Sequence, residues 1–166
     1  YDVAGFVVDE EYQTVDNLLS LPVSTWSELN ARQKNMYVAV GYKRMRARVL
    51  AYDGAKENGF ELVNIVSQGS CIADDVVMGR NNFIMPGAVI EPGVKIGDNN
   101  IIWSNSTICH DTQIGNHNFI ASNVTLGGEI KVGDSNFFGF SSTVLQQITI
   151  SHENLISAGA LIINDL

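Results

Sequence analysis

Between Ile72 and Ile162 an apolar residue returns at every sixth position, through Met78, Ile84, Ile90 and onward, without a miss. A helix repeats its apolar positions at three and four residues and a half-buried strand at two. A period of six therefore predicts a repeat architecture. Three hexads make a larger unit of eighteen: Asn82, Asn100, Asn118, Asn136 and Asn154 keep that spacing, and so do Gly79, Gly97, Gly115 and Gly133. Such a chain winds as a triangular coil with three short strands per turn and one inward apolar residue per side. About five coils at about 4.8 Å of rise make a prism roughly 24 Å tall. Asn and Gly are expected at corners needing positive φ, which they tolerate best.

The pattern before the coils alternates between strand and helix. Val3 to Val8 reads as a buried strand. Thr25-Trp26-Ser27-Glu28 is a capping-box pattern for a short helix through about Gln33. Met36 to Val40 is a second strand, closed by Gly41. Lys43 to Glu57 is helical, with Met45, Val49, Leu50 and Tyr52 inward and Asn58-Gly59 as its stop. Leu62 to Ile65 is a third strand. This alternation predicts a small parallel α/β unit of Rossmann type over residues 1–66, followed by an all-β coil over 67–166. In such a unit ligands sit at the carboxyl ends of the strands, so Asp9 and Gly41 are expected on one rim. The strand-like run at Tyr1 leads us to expect that the first strand of the unit precedes it.

Composition narrows the partners. The 166 residues are 45% hydrophobic, enough for a core, and carry a formal charge of −8 with a pI near 4.7. That balance argues against a nucleic-acid surface. No apolar run approaches the roughly eighteen residues of a membrane span, and no signal peptide opens the chain. Cys71 and Cys109 do not fall in one column of the prism, so two reduced thiols and a cytoplasmic location are expected.

Three histidines are candidates for chemistry. His110 stands two residues after the stacked Ile108, at a corner, with Pro92 and Gly128 eighteen residues to either side. Read from the residues alone it is either a solvated corner histidine or one held beside a substrate. His117 and His152 read as exposed corner residues, and Glu129, stacked over Asp111, either as a charge that raises the basicity of His110 or as a solvated carboxylate. The basic run from Lys43 to Arg48 opens a helix, where it either meets a phosphate or lies on a solvated face.

The repeat resembles that of the hexapeptide, left-handed parallel β-helix acyltransferases. A small α/β domain before it is similar to the sugar acyltransferases that include sialic acid O-acetyltransferase and the N-acetyltransferases of nucleotide-linked 4-amino sugars. The matching stretches are Gly5-Phe6-Val7-Val8-Asp9, Val38-Ala39-Val40-Gly41-Tyr42 and Ile108-Cys109-His110-Asp111-Thr112-Gln113-Ile114-Gly115. The resemblance implies a cytoplasmic homotrimer of surface-glycan biosynthesis that transfers acetyl directly from acetyl-CoA to the amine of a nucleotide-linked amino sugar. It implies His110 as general base, Asp111 as the group that orients it, and no metal. It implies Phe119, Phe140 and Ala158 along the donor, with Phe119 where relatives often carry a second histidine. It implies Val8, Asp9 and Gly41 along the nucleotide sugar. The family's first strand, Gly-rich loop and Gly-Pro-Ala-Lys-like tail have no counterpart in the sequence. O-transfer of the sialic acid type is the alternative within the family, and a non-catalytic trimeric scaffold or pseudoenzyme the alternative outside it. A zinc lyase of carbonic anhydrase type needs histidines thirty-six residues apart, whereas these stand seven and thirty-five apart.

Overall fold

The period of six closes into three walls in a computed structural model that describes residues 2–29, 35–41 and 45–166. The chain forms two compact units, residues 1–34 and 35–166. In the second, two-residue strands stack into three parallel sheets of six, five and six strands. Their register is eighteen residues: Ile90 pairs with Ile108, Ile96 with Ile114 and Ile102 with Ile120. Stacking begins at Ile65–Val66, where Ile65 pairs with Phe83. Inside, Ile84, Ile102 and Ile120 from one wall and Ile90, Ile108 and Leu126 from another form two fully buried columns of apolar side chains. Each side chain contributes about 1.5–3 kcal/mol through burial.

The recurring Asn and Gly serve a different purpose from the positive φ expected of them. Positive φ falls one residue earlier, at Asn81, Asn99 and His117. The Asn column is a buried amide ladder. Asn118 donates its main-chain N–H to Asn100 Oδ1 at 2.9 Å and its Nδ2–H to Gly133 O at 2.9 Å, while its own Oδ1 accepts from the N–H of Asn136 at 2.8 Å. The ladder supplies main-chain partners at a corner where no strand can. The glycines are steric requirements: a Cβ at Gly97 would lie 2.7 Å from Gly115 O in the next coil.

Ahead of the coils, β4 (Asn35–Met36), α1 (Met45–Glu57) and β5 (Glu61–Leu62) form one parallel β-α-β unit, with Met36 beside Leu62. Gly59 ends α1 at φ 79° as expected: its N–H donates to Lys56 O while that of Phe60 donates to Ala55 O. The inward face of α1 agrees with expectation at Tyr52, which is buried, and at Met45, which packs against the apolar core of the coils, and departs from it at Leu50. Leu50 is 71% exposed, and the buried face is Arg48, Tyr52 and Ala55. That face meets a polar corner of the coil, where Arg48 Nη2 donates to the carbonyls of His117 and Asn118 and Tyr52 Oη donates to Asp98 Oδ2 at 2.6 Å. Burial brings the Arg48 pKa down to about 10. A helix docked on carbonyls selects donors, so hydropathy alone misplaces Leu50 and passes over Arg48.

The first unit holds β1 (Phe6–Val8), β2 (Asn17–Leu18) and β3 (Leu21–Thr25). β1 runs parallel to β3, with Phe6 opposite Val23, and β2 is antiparallel to β3. The strand expected to be buried from Val3 to Val8 is thus a half-buried one of three residues, and Val3 is exposed. The capping box is present, with the Thr25 N–H donating to Glu28 Oε2 at 2.9 Å, but it opens a single 3₁₀ turn, Trp26–Glu28. The rest of that expected helix, from residue 30, and the start of the basic run at residues 43 and 44 lie outside the described residues.

Candidate active site

Residues 107 and 108 form a coil strand, and the chain turns the next corner through Cys109, His110 and Asp111. Asp111 adopts φ 57°, a left-handed conformation that Asp tolerates better than most residues, and its N–H donates to Pro92 O at 3.0 Å. From there its short side chain reaches back: Asp111 Oδ2 lies 3.0 Å from His110 Nδ1. A carboxylate only accepts, so Nδ1 carries the proton and Nε2 holds the lone pair. Glycines on both sides make room. A Cβ at Gly128 would lie 2.7 Å from His110 Nε2, and one at Gly93 would collide with Asp111 Oδ1.

His110 borders an open groove of about 650 Å³, together with Glu91, Cys109, Thr125, Gly128 and Gln146. Two residues beyond His110, the wholly buried Thr112 donates Oγ1–H to Gly127 O in the coil above, at 2.9 Å. The His110 pKa is raised above the ordinary imidazole value, first by the hydrogen bond with Asp111 and then by the charges of Asp111, Glu91 and Glu129; desolvation opposes them. Glu129 sits one coil above with its N–H donating to His110 O at 2.9 Å, and its carboxylate accepts from Gln147 Nε2 at 3.4 Å. Sequence reasoning passes over Glu91, whose Oε2 accepts the His110 N–H at 2.8 Å. A signal for it exists: residue 91 stands one coil below Cys109, beside His110.

The remaining sequence-predicted residues lie elsewhere. Phe119 is 4% exposed on another wall, stacked on Phe137 with ring centroids 5.3 Å apart, and its N–H donates to Asn136 O. Phe140 and Ala158 occupy one exposed corner, joined where Gly159 N–H donates to Phe140 O at 2.8 Å. Six residues of wall separate that corner from the column of His110, about 20 Å of extended chain. Val8 ends β1, and Asp9 Oδ1 accepts from Trp26 Nε1 at 2.9 Å, both within the first unit. Gly41 is exposed and belongs to the second unit. His117, expected to be exposed, is half-buried: its Nδ1 accepts from Asn99 Nδ2 at 2.9 Å and its ring meets Tyr52 edge-on at 5.4 Å. His152 is exposed and its Nδ1 accepts the Asp134 N–H. Among the described residues no group of three His, Cys, Asp or Glu side chains is arranged to hold a metal ion, and no helix is long and apolar enough to cross a membrane.

Comparison with known proteins agrees with this architecture. The family model for bacterial transferase hexapeptide (six repeats) matches residues 75–110 and 96–128. No curated protein sequence matches the chain. The acetyltransferase domain of PglB from Neisseria gonorrhoeae FA1090 superposes with a TM-score of 0.87 at 24% identity, over 98% of this chain and 79% of that one. PerB from Caulobacter crescentus, in complex with CoA and GDP-perosamine, gives 0.84 at 26% identity, over 91% of this chain and 74% of its own. A variant of perosamine N-acetyltransferase from the same organism gives 0.82 at 26%, over 90% and 72%. The stack matches a left-handed β-helix. Residues 75–128 of this chain thus match bacterial transferase hexapeptide repeats, and the chain shares its fold with the acetyltransferase domain of PglB and with PerB.

Proposed function

We propose that this chain is an acetyl-CoA-dependent N-acetyltransferase whose acceptor is the amine of a nucleotide-linked amino sugar. The observation that carries the reading is the His110–Asp111 pair, with Nδ1–H held by the carboxylate and Nε2 beneath Gly128 at the groove. PerB, at 26% identity, binds CoA and GDP-perosamine on the same fold, which supports both the donor and the acceptor class.

The chemistry follows from that geometry. An ammonium cannot attack until it loses a proton, and a basic imidazole is suited to hold one from the reacting amine. Once the ammonium has given one proton to solvent, the neutral amine attacks the thioester carbonyl and Nε2 takes the second proton that the nitrogen sheds. The tetrahedral intermediate collapses with loss of the CoA thiolate, and the imidazolium returns the proton to that sulfur. Asp111 keeps the tautomer and stabilises the cation formed in between.

Phe140 and Ala158 are proposed to lie along the pantetheine arm through main-chain groups, with Phe119 behind them. Their distance from His110 within one chain favours a homotrimer in which one copy's Phe140 corner meets another copy's His110. For the nucleotide sugar we propose Val8 and Asp9 in the first unit and, independently of them, Gly41 in the second, with residues 1–66 read as Rossmann-like and 67–166 as the acyltransferase part of the sequence. Two free thiols, Cys71 and Cys109, suit the cytoplasm.

The test is incubation of the purified protein with acetyl-CoA and uridine-, thymidine- or guanosine-linked 4-amino sugars, with products read by mass spectrometry. Acetylation of one carrier class, lost in His110→Ala, supports the reading. Saturable acetyl-CoA binding with no transfer to any amino sugar overturns it in favour of a scaffold, and transfer only to hydroxyls overturns the amine.

A further inference from the structure

The His110 main chain is held by a carboxylate from the coil below. Cys109 N–H donates to Leu126 O and Asp111 N–H to Pro92 O, both along the main-chain ladder. The N–H of His110 falls between them at the corner and donates instead to Glu91 Oε2, at 2.8 Å. Glu91 also lines the groove that His110 borders. Charged acceptors make shorter and stronger hydrogen bonds than neutral ones, so this contact fixes the residue that carries the ring.

We propose that Glu91 is a positioning residue for His110, one that anchors the main chain of the base while its negative charge favours the protonated ring. The assignment rests on the transferase reading for its consequence in turnover, but its effect on the imidazole stands without it. Asp111 secures the ring through Nδ1, and Glu91 secures the backbone that places it. The groups facing the ring are Asp111 beside it, Glu91 from below, Glu129 from above with its carboxylate turned to Gln147, and the neighbouring Cys109 thiol, which burial keeps protonated. When the ring takes up a proton from the acceptor, the cation formed is stabilised by a carboxylate that need not move.

Two substitutions separate anchor from charge. Glu91→Gln keeps a carbonyl oxygen able to accept the His110 N–H but removes the charge. Glu91→Ala removes both. The first readout is the imidazole titration of His110 by NMR on the protein alone, with the peak assigned by its loss in His110→Ala. The midpoint is expected to fall in Glu91→Gln with the thermal transition unchanged, and to fall in Glu91→Ala as well. The second is the pH profile of kcat/KM: its acid limb moves to lower pH in Glu91→Gln. In Glu91→Ala kcat falls about tenfold or more, since loss of positioning removes part of the general-base contribution, while KM for acetyl-CoA stays within about twofold of the original. An unchanged midpoint in Glu91→Gln overturns the proposal. A shifted midpoint in a protein that transfers nothing to any amino sugar leaves Glu91 in place and sinks the transferase reading instead.

Discussion

His110 Nε2 faces the main chain of Gly128 so closely that a methyl group at 128 would lie 2.7 Å from it. One coil above the histidine, the absence of a side chain leaves the lone pair of the ring open to the groove. Gly128 does not adopt positive φ, so alanine is allowed there by the backbone, and the atom it would meet is the tip of an exposed, movable ring. Gly128→Ala is therefore expected to leave the thermal transition within a few degrees of the original. The displaced ring is expected to lower kcat about 100-fold, the scale of a misplacement of about 1 Å. A variant with normal turnover would mean that the ring does its work from another position.

Replacing His110 by Ala removes the base without touching the core, since the ring is more than half exposed. Turnover is expected to fall about 10²–10⁴-fold, with the acetyl-CoA Kd little changed. Steady-state kinetics and calorimetric titration check both halves.

The pH dependence of turnover follows from the raised His110 pKa. The neutral ring is the active form, so kcat/KM rises with pH through a midpoint above 6.5. Asp111→Asn removes the leading cause of the shift, and the acid limb moves to lower pH. For stability the sign is opposite: a raised pKa stabilises the fold below the unfolded value and loses that contribution as pH rises through the folded one. Solvent around the exposed ring screens this contribution, so the rate profile is the measurement to make.

His117 titrates the other way, its pKa lowered by burial and then by Arg48, with Asp53, Asp134 and Asp98 opposing. The stability it contributes is present above about 6.5 and is lost as pH falls through the folded value. Its neutral Nδ1 accepts from Asn99, which in turn accepts from Asn81. An asparagine side chain suits the φ of 61° at this position and would extend that amide column, so His117→Asn is expected to flatten the loss of melting temperature between about pH 7 and 5. Thermal melts across that range decide it.

The amide ladder makes a separate prediction about the coil. Asn118→Ala leaves the N–H of Asn136 and the carbonyl of Gly133 without their side-chain partner. Each orphaned group costs about 1–3 kcal/mol, read as a lower urea midpoint. An unchanged midpoint would show that water replaces the amide and that the ladder is not a source of stability.

Much of the architecture is legible because the coil converts sequence separation into contact. Residues eighteen apart touch, so Gly128 above His110, Pro92 below it and the stacked isoleucines all follow from the spacing alone. Asp111 as the partner of His110 comes from the resemblance to the sugar acyltransferases, and the geometry brings the two atoms to 3.0 Å. Glu91 follows from the same arithmetic, but its role depends on a side chain crossing between columns. The roles of Asn82 and Gly79 are not legible, because a repeated Asn or Gly serves equally for positive φ, for an amide ladder or for close approach.

Sequence by itself determined the period of this protein, its three walls and the column in which His110 stands, since a regular stack leaves each repeat only one neighbour above and one below. Only the tertiary structure decided that Arg48 and not Leu50 of α1 turns inward, that β1 pairs with β3, and that His117 is covered by Tyr52. Those outcomes depend on docking between elements of different type, where one buried guanidinium on two carbonyls outweighs the hydropathy of an exposed leucine.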